Sequence, residues 1–357
     1  MGAKQTKISA ACESGDLDEV RLLLADNQDN PADDNNYAVR VACYNGHLDV
    51  VRLLLADRRV DPADRNNEAM RVACYNGHLN VVRLLLADSR INPADENNHA
   101  IRLACENGHI DVVRLLLADS RVNPADEIND AIHQACAKGH VDIVCLLLAD
   151  NRVNPADNNN LAMYDACLRG HLDVVRLLLA DSRVDPADNN NVAIRNACLG
   201  GHVKIVRLLL ADSRVDPTDE DNEAMRFACY NDRVDIIFLL LMDPRIDIRE
   251  MALRHPEVVE KYKSNKSICA LLALRGIESG FAKWRPSDSD AYNLEMFLYW
   301  QRTLFINLYK QDKNTWNGPY GVLLRHRLKI AKLYRSAVLV SRLPLEMIEL
   351  VLGYMIY

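Results

Sequence analysis

The sequence predicts an all-α solenoid of helix-turn-helix units, closed at its carboxyl end by a separate helical module. Three observations predict it. A cysteine returns every 31 residues, at Cys12, Cys43, Cys74, Cys105, Cys136, Cys167, Cys198 and Cys229. Glycine follows it by three residues at Gly15, Gly46, Gly77, Gly108, Gly139, Gly170 and Gly201, and histidine comes next from the second unit on. A proline column beginning at Pro31 and an asparagine column beginning at Asn36 share the period. Self-similarity at a fixed period of this size marks stacked supersecondary units, none of which buries its apolar face alone. Eight units fit, the first without its opening loop.

Within one unit the elements follow in order. Residues 69–74, Ala-Met-Arg-Val-Ala-Cys, form helix readily, and Gly77 stops them with a left-handed cap that needs no side chain. Residues 79–86 carry a broad apolar face, which predicts a second helix buried against the first and against the next unit. Residues 89–98 are a polar connection with Pro93 and Asn97-Asn98, where asparagine can take the left-handed conformation usual for glycine.

Charge divides the chain. Residues 1–243 hold 25 Lys/Arg against 39 Asp/Glu, a net of −14, and residues 244–357 carry +7. An acidic array repels nucleic acid, so no nucleic-acid partner is expected, while the tail suits an acidic partner or the array itself. All three tryptophans, Trp284, Trp300 and Trp316, lie in the tail. The expected organisation is an array over 1–243, degenerate capping helices over 244–280 and a helical module over 281–357. The last array unit has Asp232-Arg233 in place of Gly-His, and its Phe227 and Phe238 call for cover. A helix pair over 248–263 is expected to supply it. Breakers at Pro286 and Gly318-Pro319 separate further helices over 268–275, 290–310 and 320–341.

Units about 10 Å apart hold the column cysteines beyond the ~7 Å reach of a disulfide. They read as small buried apolar residues in a reducing, intracellular setting, the cytoplasm or the nucleus. Cys43 and His47 are four apart, but no unit adds a second close pair, so neither a metal nor another cofactor is expected. No stretch approaches the ~20 apolar residues of a membrane span, and no secretory leader is read. There is no phosphate-cradling glycine loop, nucleophile elbow or metal motif, and the chain is read as a non-enzyme.

The repeated residues resemble the ankyrin repeat. Its pattern T-P-L-H-x-A-A, then G-H, then V-V-x-L-L-L is echoed by Glu68-Ala69-Met70-Arg71-Val72-Ala73-Cys74, Gly77-His78 and Val81-Val82-Arg83-Leu84-Leu85-Leu86, over residues 5–243. Alanine replaces the family proline and arginine usually replaces the first histidine. Each unit is also two residues short of the usual 33, so the hairpin-like loop is shortened. The resemblance implies protein–protein recognition through a concave face made by loops and first helices.

Positions constant between units are structural, and positions that vary at one place are free to recognise. The histidine column is therefore read as a helix-start and inter-unit hydrogen-bond ladder rather than an active site. The arginines Arg21, Arg52, Arg83, Arg114, Arg176 and Arg207 often follow an acid by three residues, as in a helical ion pair or simply a solvated face. Two columns vary. The residue before the first helix reads Tyr37, Glu68, His99, Asp130, Leu161, Val192 and Glu223. The residue after the cysteine reads Tyr44, Tyr75, Glu106, Ala137, Leu168, Leu199 and Tyr230. These are the candidate partner-binding residues, with Tyr and Leu as anchors; ordinary surface drift gives the same variation.

Two terminal features point further. Residues 343–355, Leu343-Pro344-Leu345-Glu346-Met347-Ile348-Glu349-Leu350-Val351-Leu352-Gly353-Tyr354-Met355, resemble the opening of an F-box, by which substrate receptors dock a Skp-type adaptor of cullin ubiquitin ligases. Leu343, Pro344, Glu346, Ile348 and Leu352 carry the match. Ankyrin repeats followed by a truncated F-box resemble the PRANC arrangement of poxviral ankyrin proteins. Leu343-Pro344-Leu345 also resembles the end of a SOCS box, without the Leu-x-x-x-Cys element that should precede it. The alternative is a terminal helix closing the module's own core. At the other end, Met1-Gly2-Ala3-Lys4-Gln5-Thr6 fits the acceptor pattern for N-myristoylation of Gly2. One acyl chain would give a weak, reversible peripheral membrane anchor, the rival to the recognition scaffold.

Overall fold

The computed structural model describes residues 6–26, 29–243, 245–246 and 254–255, all in the first of the two units into which the chain divides, Met1–Ile277. Among the described residues there are sixteen helices, in pairs, and no strand. Unit 1 is α1 (Lys7–Ser14) and α2 (Leu17–Asp26), and unit 2 is α3 (Asp33–Asn45) and α4 (Leu48–Ala56). Units 3 and 4 are α5 (Asp64–Tyr75) with α6 (Leu79–Leu86) and α7 (Asp95–Glu106) with α8 (Ile110–Leu117). Units 5 and 6 are α9 (Asp126–Lys138) with α10 (Val141–Leu148) and α11 (Asp157–Arg169) with α12 (Leu172–Ala180). Units 7 and 8 are α13 (Asp188–Gly200) with α14 (Val203–Ala211) and α15 (Asp219–Tyr230) with α16 (Val234–Met242). First helices stack on first helices and second helices on second helices, which is how a solenoid builds one core from units that have none alone.

The core repeats with the sequence. In unit 3 it is Ala69, Met70, Ala73 and Cys74 from the first helix and Val81, Val82 and Leu85 from the second, all essentially sealed from solvent. Cys74 Sγ lies 3.7 Å from Met70 Sδ, so the column cysteine packs as a small apolar residue. Unit 1 lacks the opening loop, and Thr6 caps α1 instead, its hydroxyl accepting from the Ser9 amide at 3.3 Å.

The connection between units differs from a hairpin. Every first helix from α3 on begins with three successive residues in the left-handed region, such as Asp34-Asn35-Asn36 at φ 53, 56 and 56°. Right-handed helix starts only at the residue after the asparagine column. The sequence marks the asparagines for this conformation, but Glu96, Glu127 and the β-branched Ile128 adopt it too, at φ 51, 50 and 56°. Left-handed backbone costs an ordinary L-residue about 1–2 kcal/mol, so other contacts must hold these turns.

Helix pairs close on the glycine column. Gly108 has φ 80°, and a Cβ built on it would lie 2.8 Å from the His140 ring of the next unit. The glycine is required twice, for its backbone and for the space the neighbouring histidine fills. Unit 8 meets the same demands with other residues: Asp232 takes φ 53°, and the Arg233 side chain lies over Gly201. Phe227 is half-buried. The Phe238 side chain, the expected capping pair over 248–263 and the module over 281–357 lie outside the described residues. Arg254 and His255, which are described, both reach Asp221 of unit 8, at 3.1 and 2.9 Å.

Candidate partner-binding face

The histidine column forms the ladder its constancy predicts. His78 Nε2 lies 2.8 Å from the Tyr44 carbonyl of the preceding unit, and His47, His109, His140, His171 and His202 repeat the contact on Glu13, Tyr75, Glu106, Ala137 and Leu168. These acceptors are carbonyls at the exposed end of each first helix, groups that a helix terminus leaves without an internal partner. The ladder therefore fixes the backbone of the second candidate column.

Two further ladders tie each unit to the next. The asparagine column is buried from Asn36 to Asn191, and Asn67 shows why: its Nδ2 donates to Asp95 at 2.6 Å, and its Oδ1 accepts from the Asn92 amide at 3.0 Å. From Asn36 to Asn191 each asparagine thus holds the turn of the following unit, Asn160 through its Nδ2 alone. Beside it runs an Asp-x-Arg column that the sequence reading passed over: Arg59, Arg90, Arg121, Arg152, Arg183, Arg214 and Arg245, each two residues after an aspartate. Arg90 grips Asp88 through Nε at 2.9 Å and Nη2 at 2.6 Å, then donates to the carbonyls of Val60 and Leu55 in the unit before. The guanidinium hydrogen-bonded to Asp57, Asp88, Asp119, Asp150, Asp181 and Asp212 holds each of these carboxyls below the usual range. The signal was the 31-residue period itself, as strong here as in the cysteine column.

The arginine that replaces the family histidine does a third task. Arg40 donates from Nε to the Asn35 carbonyl at 3.1 Å and from Nη2 to the Asp34 carbonyl at 2.9 Å, filling the left-handed turn of its own unit. Its Nη1 reaches Glu68 of the next unit at 2.8 Å. Arg71 binds both equivalent carbonyls, those of Arg65 and Asn66, whereas Arg102 and Arg195 bind one each, Glu96 and Asn189, and pair with Asp130 and Glu223.

Consequently the first candidate column is half-buried throughout, at Tyr37, Glu68, His99, Asp130, Leu161, Val192 and Glu223, and three of its acids are engaged between units. Burial depresses the His99 pKa, helped by Arg102 and Arg71. Asp130 is pushed down to about 2 by hydrogen bonds from His133, Gln134 and Arg102, and His133 is raised by its hydrogen bond to Asp130 and by Asp165 at 2.7 Å.

The second column is more open. Tyr44, Tyr75 and Tyr230 are 51, 46 and 52% exposed, and Glu106, Leu168 and Leu199 are half-buried. Ala137 corrects the expectation: at 4% exposure it offers a partner no side-chain surface, because its short side chain is covered where the tyrosines project. Of the outer arginines, Arg21 and Arg176 pair with Asp18 and Asp173 at 3.0 and 2.9 Å, all well exposed, so that column is chiefly a solvated face. Burial drives the column thiols far up, while Cys145 on α10 is exposed. Gly2 and Leu343, Pro344, Glu346, Ile348 and Leu352 lie outside the described residues.

Three copies of a family model of ankyrin repeats match residues 3–66, 58–128 and 101–190, more than half of the chain. No curated protein matches it. Paired helices, the 31-residue period and this match agree, and the chain belongs to the ankyrin repeat family, whose stacked repeats form a protein–protein interaction scaffold.

Proposed function

We propose that this chain is a non-enzymatic recognition scaffold that holds a partner protein on the face made by its left-handed turns and first helices. The observation that carries the reading is the pair Tyr44 and Tyr75, exposed at the same place in adjacent units, with Tyr230 repeating it in unit 8. Neighbouring helices lie about 10 Å apart, so the two rings offer paired aromatic anchors on a backbone fixed by the histidine ladder. A tyrosine that anchors an interface typically contributes 2 kcal/mol or more, about thirtyfold in affinity. Full-length chain and its Tyr44→Ser/Tyr75→Ser variant should therefore differ sharply in what they retain from eukaryotic cell extract. Equal retention of the same proteins would contradict the reading.

The finer version makes the chain a substrate receptor of a cullin-type ubiquitin ligase, supported by Leu343-Pro344-Leu345-Glu346 and the apolar residues after it. A Skp-type adaptor and a cullin should co-purify with the full-length chain and be lost when it ends at Arg342. Their absence from both preparations would leave the scaffold without this role. The buried thiol column fits an intracellular setting. The Gly2 pattern supports peripheral membrane attachment as the competing role, which an unacylated amino-terminal mass would remove.

A further inference from the structure

Two inter-unit contacts, the arginine–acid pair and the asparagine that donates to the next turn, are missing together between units 5 and 6; the arginine–acid pair is missing again one unit on, at Tyr164 and Val192. The arginine that fills the left-handed turn is replaced by His133, the asparagine second in the turn by Ile128, and the position of the acid that receives the arginine by Leu161. In intact junctions, Asn66 and Asn97 donate to Glu96 and Glu127 of the following turns, and Arg40 and Arg102 tie their turns to the next unit. Here His133 directs Nδ1 to Asp130 at 3.3 Å and Nε2 to Asp165 at 2.7 Å, both away from the turn carbonyls of Glu127 and Ile128. A cleft of ≈ 450 Å³, counting the space open to solvent, lies at this junction. It is lined by Glu127, Ile128, Asp130, His133, Asp157 and Leu161, among others. Ile128 is 63% exposed, an apolar residue held in a left-handed turn at the rim.

We propose that this cleft receives an arginine side chain of the bound partner protein, which supplies in trans the guanidinium that the repeat supplies in cis elsewhere. The inference rests on the partner-binding reading and names the residue type that the face accepts in unit 5. The carbonyls of Glu127 and Ile128 correspond to those that Arg40 engages from Nη2 and Nε in unit 2. Leu161 and Ile128 offer apolar cover to the three-carbon stem, which arginine buries readily while its head stays hydrogen-bonded. Of the three carboxylates that line the cleft, Asp130 is already engaged by Arg102 and His133, which leaves Glu127 and Asp157 to favour a cation. Lysine has one compact ammonium where two diverging carbonyls ask for a planar fork.

The test uses full-length chain with labelled Ile, Leu and Val methyl groups, titrated with N-acetyl-arginine methylamide and, separately, the lysine analogue. The arginine probe should shift the Ile128, Ile132 and Leu161 methyls saturably, and the lysine probe should bind about tenfold more weakly, the 1.4 kcal/mol of one lost directed contact. The variant His133→Arg/Leu161→Glu restores the repeat's own pattern and should abolish the shifts; Leu161→Trp, which fills the cleft from its rim, should do the same. Equal response to both probes, or undiminished binding in both variants, overturns the proposal. A partner retained equally by wild type and His133→Arg/Leu161→Glu, yet lost by Tyr44→Ser/Tyr75→Ser, would overturn this inference and leave the scaffold reading standing. Failure to retain any partner would count against the scaffold reading alone, with the probe titration still deciding the cleft.

Discussion

Asparagine 67 bears the left-handed turn of the next unit because its side chain presents a donor and an acceptor to fixed partners there, as do Asn36, Asn98, Asn129 and Asn191. Asn67→Ala removes both contacts and leaves the Asn92 amide and the Asp95 carboxylate short of a partner, so it should cost about 1–3 kcal/mol in denaturant unfolding. No measurable loss would show that water replaces the side chain freely. His133 gives a pH-dependent counterpart. Its folded pKa is raised chiefly by the Asp130 hydrogen bond, so its stabilisation is complete below the unfolded value of about 6.5 and fades as pH rises through the folded one. Asp130, held at about 2, contributes above its unfolded value of about 3.9 and fades as pH falls below it. The melting-temperature deficit of His133→Asn should therefore be largest near pH 5 to 6 and shrink toward pH 9; a constant deficit would place the histidine outside the ion cluster. The histidine ladder was legible in the sequence because constancy beside a glycine marks a helix junction. The Asp-x-Arg ladder carries the same 31-residue period, but its two-residue spacing in a loop matches neither helical nor strand periodicity, so the period alone marks it.

At the scale of the element, the helix pairs were legible nearly to the residue, since apolar periodicity and the glycine caps bound them: residues 79–86 are α6 as read. The left-handed turn was only half legible. Asparagine signals it, whereas Glu96 and Ile128 have no preference for it and lie in turns whose residues are bonded to the preceding unit, Asn66 to Glu96 and Asn97 and Asn98 to Glu127 and Asp126. Glycine 108 shows how tightly the elements interlock. Gly108→Ala must bear φ 80° and push the His140 ring aside, which should cost at least the 1–2 kcal/mol of the left-handed backbone and disturb two units together. Unfolding followed by denaturant should show the loss, and exchange of the unit 4 and unit 5 amides should quicken together. Faster exchange confined to unit 4 would mean that the histidine contact carries no inter-unit stability.

For the whole molecule, one period governs burial, polar ladders and exposed face alike, and it also predicts chemistry. Among the nine described cysteines the eight of the column are buried and Cys145 is exposed, so a thiol reagent should modify Cys145 in the folded protein and the column only on unfolding. Rapid modification of the column would mean that the array opens far more readily than its packing implies. Recognition was the least legible level. Variation marked the two columns, but only burial separated the projecting Tyr44 and Tyr75 from the covered Ala137 and from the acids engaged between units. The most direct measurement is photo-crosslinking in eukaryotic cells, with benzoylphenylalanine placed singly at positions 44 and 75 and, for comparison, at 83 and 114 on the second helices. Discrete protein adducts at 44 and 75, and none at 83 or 114, are the expected result; adducts confined to 83 and 114 would place recognition on the opposite face.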